Sequence, residues 1–168
     1  KLCCQMLEES AQLLHPYPYG YEHYHFDCVA AMFFAKVGDE ETALAHLRQA
    51  TDNASATKDS MLSLIDHMLD EAAITYIELG RFQDAIDTVS QAIAMCDELE
   101  NVKRYRETRF DATLFLGRIY AMNGEYIKAE ETFGEAEKRV SDSPYEWKLP
   151  LCPKSIREKA EAERYQQH

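Results

Sequence analysis

The sequence predicts an all-α fold, built as a right-handed superhelix of antiparallel helix hairpins. Three glycines recur at nearly equal intervals, each followed five residues later by an alanine: Gly38 and Ala43, Gly80 and Ala85, Gly124 and Ala129. The alanines are spaced 42 and 44 residues apart, which is typical of a solenoid of helical hairpins. No proline lies between Pro18 and Pro144, a pattern that favours long helices over a many-turned sandwich.

Bulk composition excludes several classes of protein. Hydrophobic residues make up 46% of the 168 residues, which is enough for a packed core and too many for general disorder. The net charge of −12 lacks the basic excess that phosphate binding needs, so we expect no direct contact with nucleic acid. The apolar run 29–35 is far too short to span a membrane, and no membrane association is expected.

The cysteine pattern favours reduced thiols. The five cysteines are odd in number, include no CxxC pair and fit no disulfide framework: Cys3, Cys4, Cys28, Cys96 and Cys152. In long helices, such residues are typical of small apolar core positions in a cytoplasmic protein. Because paired ligands are also lacking, we predict neither a metal site nor a cofactor.

No pattern indicates catalysis. The sequence contains no nucleophile elbow, no phosphate-binding loop and no HExxH motif, so we predict no catalytic residues and no enzymatic activity. Residues 15–25 hold four tyrosines and three histidines. His23 and His25 are two residues apart and would point to different sides of a helix, which argues against a metal pair. The tyrosines are expected either to pack a loop against the first hairpin or to offer an aromatic interface.

The third repeating unit shows the pattern most clearly. Its spaced positions are Leu116, Gly117, Tyr120, Gly124, Tyr126, Ala129, Phe133 and Ala136. Small residues at 117, 129 and 136 would let two helices approach closely, with the larger side chains filling the space between them. Gly124 would end the first helix in a conformation that a Cβ opposes. Asp39, which follows the first glycine, is a good N-cap for the next helix.

These spacings resemble the tetratricopeptide repeat (TPR). The second unit matches at Ala72, Ala73, Tyr76, Gly80, Phe82, Ala85, Val89 and Ala92; the first matches at Ala30, Ala31, Phe34, Gly38, Ala43, Leu47 and Ala50. The resemblance covers about 100 of the 168 residues, although an ordinary helical bundle also uses Ala and Leu in this way. The lengthened period, and the stretch 38–50 in particular, resembles the C-terminal TPR region of bacterial helix-turn-helix transcriptional regulators.

The predicted organisation is a single TPR-like domain over residues 1–168. We divide it into a partial preceding repeat and loop (1–20), three repeats (21–58, 59–104 and 105–143), and a linker with a C-terminal capping helix (144–168). The sequence opens on Lys1 within a helical pattern that has no N-cap. We therefore expect a fragment of a longer protein, with trimmed residues as the alternative.

The resemblance also implies a ligand groove, because the first helices of TPR hairpins line a concave face. The family's groove positions fall here on His25, Met32, Lys36, His67, Asp70, Ile74, Glu78, Asp111, Arg118 and Met122. Polar groups with apolar residues between them suit an extended peptide. Only Lys36 and Arg118 are basic, too few for the family's carboxylate clamp, so capture of an acidic C-terminus is not expected. The alternative is that this face is packed core or a dimer contact.

Together these observations favour a protein- or peptide-binding domain. The resemblance implies the regulatory part of a bacterial transcriptional regulator, sensing an effector or dimerising, with a DNA-binding domain elsewhere in the protein. The alternative is a static protein–protein assembly scaffold. The expected partner is a peptide or protein, and a homodimer is possible.

Overall fold

The computed structural model describes residues 2–16, 18, 20–56, 60–98, 103–141 and 151–166, and within these ranges it contains helices and no strand. The helices are α1 (Leu2–Leu14), α2 (Tyr21–Val37), α3 (Glu40–Ala56), α4 (Ser60–His67), a π-helical turn (Met68–Ala72), α5 (Ala73–Glu78), α6 (Phe82–Asp97), α7 (Lys103–Met122), α8 (Tyr126–Ser141) and α9 (Lys154–Gln166). The all-α prediction is confirmed, whereas the superhelical TPR arrangement stays a prediction.

The chain divides into two compact units, Lys1–Arg81 and Phe82–His168, called here the N-unit and the C-unit. In the N-unit, α2 packs against α1, α3 and α5, and α3 also packs against α4. In the C-unit, α7 packs between α6 and α8, and α9 packs on α8. The division falls inside the second predicted repeat, and the single domain over 1–168 remains a prediction. None of the helices in the described ranges is long and apolar enough to cross a membrane.

The three spaced glycines end their helices in the same way. Gly38, Gly80 and Gly124 have φ of 81°, 71° and 83°, the left-handed region that a Cβ opposes. In each turn the glycine N–H donates to the carbonyl three residues back, and the following N–H donates to the carbonyl five residues back, for example Gly38 to Ala35 at 3.1 Å and Asp39 to Phe34 at 2.9 Å. The repeated spacing therefore corresponds to a repeated backbone turn.

The predicted cap at Asp39 is confirmed. Its Oδ1 accepts the backbone N–H of Thr42 at 3.2 Å, and its Oδ2 accepts the Thr42 hydroxyl at 2.9 Å. The first of these bonds satisfies a backbone donor that the first turn of α3 leaves without an intrahelical acceptor.

The small residues of the repeat pattern lie where helices meet. The alanines five and twelve residues after each glycine are all fully buried: Ala43, Ala50, Ala85, Ala92, Ala129 and Ala136. In the C-unit, a Cβ added to Gly117 would lie 3.1 Å from the ring of Phe133, so only glycine fits there without displacing the ring. This contact explains why the repeat pattern has a glycine at position 117.

The thiols that the structure describes lie in the core, as the sequence pattern predicts. Cys28, Cys96 and Cys152 are buried, and none of these three forms a disulfide. The side chains of Cys3 and Cys4 lie outside the described part of the chain, as does most of the predicted linker. The predicted C-terminal helix is present as α9, with Ala160 fully buried.

The N-unit contains one feature that the sequence pattern did not indicate, a π-helical turn between α4 and α5. The N–H of Ala73 bonds to the carbonyl of Met68, five residues back rather than four. A turn of this kind contains one extra residue, so the residues before it are rotated by about 100° relative to a straight α-helix. Ala72 nevertheless packs into a small core cluster with Ala31 and Leu47.

Candidate functional site

Most of the predicted groove residues of the N-unit lie at the surface of α2 and of the helix that follows α4. Lys36 Nζ lies 3.7 Å from Glu78 Oε1, and both side chains are exposed. His25 and Asp70 are exposed, whereas Met32 and Ile74 are half-buried. The structure thus joins α2 and α5 by one exposed ion pair.

His67 does not lie at the surface with these residues. Its side chain is only 1% exposed, although the repeat pattern aligns it with the exposed His25. The alignment assumed an uninterrupted α-helix. The π-helical turn begins at the next residue, Met68, and rotates His67 away from the expected register.

The three groove residues predicted in the C-unit all lie on α7. Asp111, Arg118 and Met122 are exposed, and their spacing of seven and four residues places them on one helix face. That all ten predicted residues line a single groove stays a prediction.

The buried His67 is the centre of a partly buried hydrogen-bond chain. The Thr51 hydroxyl donates to the carbonyl of Leu47 at 2.8 Å, so its oxygen accepts from His67 Nε2 at 2.8 Å. The other ring nitrogen, Nδ1, is then unprotonated and accepts the hydroxyl of Tyr24 at 3.3 Å. This relay ties α2, α3 and α4 together through side chains.

Burial keeps the relay uncharged near neutral pH. Desolvation lowers the pKa of His67 to about 4. Burial is also the main cause that raises the pKa of Tyr24, with the neighbouring Cys28 second. The Cys28 thiol has its pKa raised to about 12, by burial first and by Glu71 second. A thiol that stays protonated is a poor nucleophile, so Cys28 acts as a packing residue.

A second polar pair lies at the α2–α3 contact. His46 Nδ1 is 2.8 Å from Asp27 Oδ1, and Asp27 is almost completely buried. The His46 ring is stacked on the ring of Phe34, with 5.8 Å between the centroids. The pair aligns α3 on α2.

Two carboxyl groups of the π-helical turn are less acidic than usual. The pKa of Asp70 is raised by partial burial and then by Asp66; the pKa of Glu71 is raised by partial burial and then by Asp70, with His25 opposing the shift. In the described ranges, no three His, Cys, Asp or Glu side chains are arranged to hold a metal ion.

Thr75 has the one buried side-chain oxygen or nitrogen without a hydrogen-bond partner among the residues that the structure describes. The hydroxyls of Thr51, Thr88, Thr113 and Thr132 each donate to the carbonyl four residues back. For Thr75 that carbonyl belongs to Glu71, which lies in the π-helical turn. The altered turn geometry explains the unmade bond.

A cavity of about 310 Å³ lies between α3 and the end of α5. We call it the α3–α5 cavity; it is lined by Leu44, Leu47, Arg48, Thr51, Asp52, Tyr76 and Arg81. Arg81 Nη1 lies 3.1 Å from Glu40 Oε1, and its guanidinium group lies 5.4 Å from the Tyr76 ring centroid. Arg48 Nε donates to the carbonyl of Leu44 at 3.2 Å.

The α3–α5 cavity has no distinctive signature in the sequence. Leu44, Arg48 and Asp52 follow one another at four-residue spacing, which places them on one face of α3. That spacing is visible in the sequence, but it resembles any solvated helix face. The opposing Tyr76 and Arg81 become its neighbours only through packing.

The His/Tyr-rich segment makes structural contacts. His23 Nδ1 accepts the backbone N–H of Gly20 at 3.3 Å, and its Nε2 donates to the carbonyl of Leu14 at 3.2 Å. The His25 ring meets the Tyr21 ring edge to face, with centroids 4.3 Å apart. Tyr17 and Tyr19 lie outside the described residues.

Comparison of the chain with protein-family models, with curated proteins and with solved structures found no match.

Proposed function

We propose that this chain is a peptide- or protein-binding helical-repeat domain, with the exposed side of α2 as its contact surface. The observation that carries the proposal is the open face of α2, defined by Tyr21, His25, Val29, Met32 and Lys36. Their spacing of four, four, three and four residues places them on one side of the helix. Tyr21 is 72% exposed and Val29 is 59% exposed.

The chemistry of this face suits a short apolar segment that also carries basic residues. Tyr21 and Val29 offer apolar area, and an exposed tyrosine gives contact area at small entropic cost. Beside them, Glu78 is paired with the exposed Lys36, an ion pair that contributes little to stability and opens readily. With Asp70 and Glu71 nearby in sequence and a net charge of −12, the surroundings favour a cationic partner over an acidic one.

More specifically, we propose that the chain is the regulatory part of a bacterial transcriptional regulator that acts in the cytoplasm. The lengthened repeat spacing supports the regulator, and the buried reduced thiols suit a reducing compartment. Ligand binding along α2 would then be read by a DNA-binding domain elsewhere in the protein. In the alternative, a static scaffold, the same face holds a whole folded protein.

The test begins with native mass spectrometry of the domain after exposure to a peptide-rich extract of its own cells. A captured peptide is then synthesised and titrated against matched variants. Val29 and Val37 are equally exposed, at 59% and 60%, but Val37 lies at the end of α2 and off the open face. We expect Val29→Asp to weaken binding at least about tenfold and Val37→Asp to leave it unchanged.

Two results would decide against the peptide-binding form. Equal weakening by Val29→Asp and Val37→Asp would show that the open face of α2 is not the contact surface. Capture of a folded protein, with no peptide bound, would favour the scaffold.

A further inference from the structure

We infer that the α3–α5 cavity is a binding site for a small amphipathic zwitterion, a free α-amino acid with an apolar side chain. This inference goes beyond the proposed peptide contact, because the cavity shares no residue with the open face of α2. Three features of the cavity support it: its size, its apolar floor, and opposite charges placed along one wall.

The size and floor suit one amino acid with an apolar side chain. A volume of about 310 Å³ lies at the lower end of small-molecule pockets. Leu47 is almost completely buried and Leu44 is half-buried, so the α3 wall offers apolar surface below its polar rim. Tyr76, which packs against the same core cluster, supplies an aromatic surface opposite. An aliphatic side chain would lose part of its contact with water between these walls.

Opposite charges stand one helical turn apart on the α3 wall. Arg48 and Asp52 are exposed and line the same cavity, four residues and therefore about 6 Å apart along the helix axis. Arg48 donates through Nε to the carbonyl of Leu44, which leaves the other nitrogens of its fork to face a ligand carboxylate. The carboxylate of Asp52 can accept a ligand ammonium group. A ligand that carries only a positive or only a negative charge would pair with only one of these two side chains.

The relay fixes a further acceptor beside Asp52. The Thr51 hydroxyl donates to Leu47 and accepts from His67, so its hydrogen atom is committed and its orientation is set. A hydroxyl oxygen accepts two hydrogen bonds, and its second lone pair remains for an ammonium hydrogen. Thr51 thereby distinguishes a ligand that carries an ammonium group from a simple carboxylate.

The opposite rim is held in place by its own contacts. Arg81 is bonded to Glu40 and stands over the ring of Tyr76. The Glu40 carboxylate compensates the charge of Arg81, so Arg48 and Asp52 are the charged groups of the α3 wall. A bound ligand would therefore bridge α3 and the end of α5.

The test is a titration of the whole chain with L-leucine, in which binding is monitored by backbone amide NMR and by calorimetry. We expect shifts confined to residues 44–52 and 76–81. N-acetyl-leucine lacks the ammonium group and leucinamide lacks the carboxylate. Each is expected to bind at least about tenfold more weakly, the loss of one charge-assisted hydrogen bond.

Variants connect the binding to the cavity. Arg48→Gln and Asp52→Asn are each expected to weaken L-leucine binding at least about tenfold, whereas Arg106→Gln, an exposed arginine of α7, leaves binding unchanged. Leu44→Trp, which fills the cavity, abolishes binding while circular dichroism remains that of the parent chain. Absence of binding at millimolar L-leucine, shifts outside the two segments, or equal affinity for N-acetyl-leucine would each overturn the inference. Val29→Asp leaves L-leucine binding intact, so this site and the peptide site can fail separately.

Discussion

The two units follow the same repeat pattern but differ in what they bury. In the C-unit, the buried polar side chains in the described residues are Thr113 and Thr132, and each hydroxyl is satisfied within its own helix. In the N-unit they are Asp27, His67 and Thr75; the first two bond across helices and the third lacks a partner. One unit is therefore assembled mainly by apolar packing, and the other also depends on specific polar contacts.

The two units therefore differ in how much their interiors depend on specific partners. Buried polar groups cost free energy unless they are bonded, and they make an interior less tolerant of substitution. The N-unit combines such groups with a π-helical turn, a feature often found at functional sites, and with the α3–α5 cavity. The C-unit serves as the comparison, because its helices are held together mainly by apolar packing.

The largest effect is expected from the C-unit contact between Phe133 and Gly117. Phe133→Ala removes a buried ring and should lower the free energy of unfolding by about 4 kcal/mol, measured by urea titration. The change in unfolding free energy caused by Gly117→Ala should have opposite signs in the parent chain and in the Phe133→Ala variant. In the parent chain the added Cβ crowds the ring; in the Phe133→Ala background the ring is absent, and the change gains about 1 kcal/mol of helix propensity. Additive effects of the two substitutions would contradict the contact.

The relay is expected to contribute nearly as much to the N-unit. His67→Ala leaves the Tyr24 hydroxyl and the Thr51 oxygen without their buried partner and opens a void, at a cost of about 3 kcal/mol. The matched C-unit change, Thr113→Val, removes a bond made within one helix and should cost about 1 kcal/mol. Equal losses in urea titrations of the two variants would remove the contrast between the units.

His67 should also make stability depend on pH. Burial lowers its pKa in the folded chain to about 4, below the value near 6.5 of an unfolded histidine. Between these values the unfolded state binds a proton that the folded state does not, so stability rises with pH. On acidification from pH 7, we expect a loss of roughly 3 kcal/mol, spread from about pH 6.5 to about pH 4.

The matched variant is His67→Gln, which keeps a donor and an acceptor but does not titrate. Subtracting its pH profile from that of the parent chain removes the contribution of the other groups. A difference profile that is flat between pH 4 and 7 would show that His67 is accessible to water and not buried in the relay.

The smallest effects are expected at the glycines, where the units should behave alike. Gly38→Ala and Gly124→Ala both force a Cβ into the left-handed region and should each cost about 1 kcal/mol. Gly134→Ala is the control. This glycine lies inside α8, no atom beyond the backbone of its own helical turns lies within 4 Å of an added Cβ, and the change should stabilise by about 1 kcal/mol. Thermal unfolding measures all three changes, and a stabilising Gly38→Ala would contradict the turn geometry.

Much of the helical framework was predictable because its determinants are local. The glycine turns, the Asp39 cap and the small residues at helix contacts each depend on neighbours within a few positions or on a repeated spacing. The candidate site was less predictable. Lys36 and Glu78 were assigned to one face and do meet, but His67 was assigned to that face and is buried. No local signal marks the π-helical turn that separates these two outcomes.

Local signals in the sequence were enough to predict a helical protein, three glycine turns that end helices, and the small residues where helices approach. These follow from backbone conformational preference and helical periodicity, which act over short distances along the chain. Packing between helices, in contrast, brings His67 between Tyr24 and Thr51, deprives Thr75 of its usual acceptor, and places Arg48 and Asp52 around one cavity with Tyr76. These depend on packing between α2, α3 and α5, where the register of one helix is set by the surface of another.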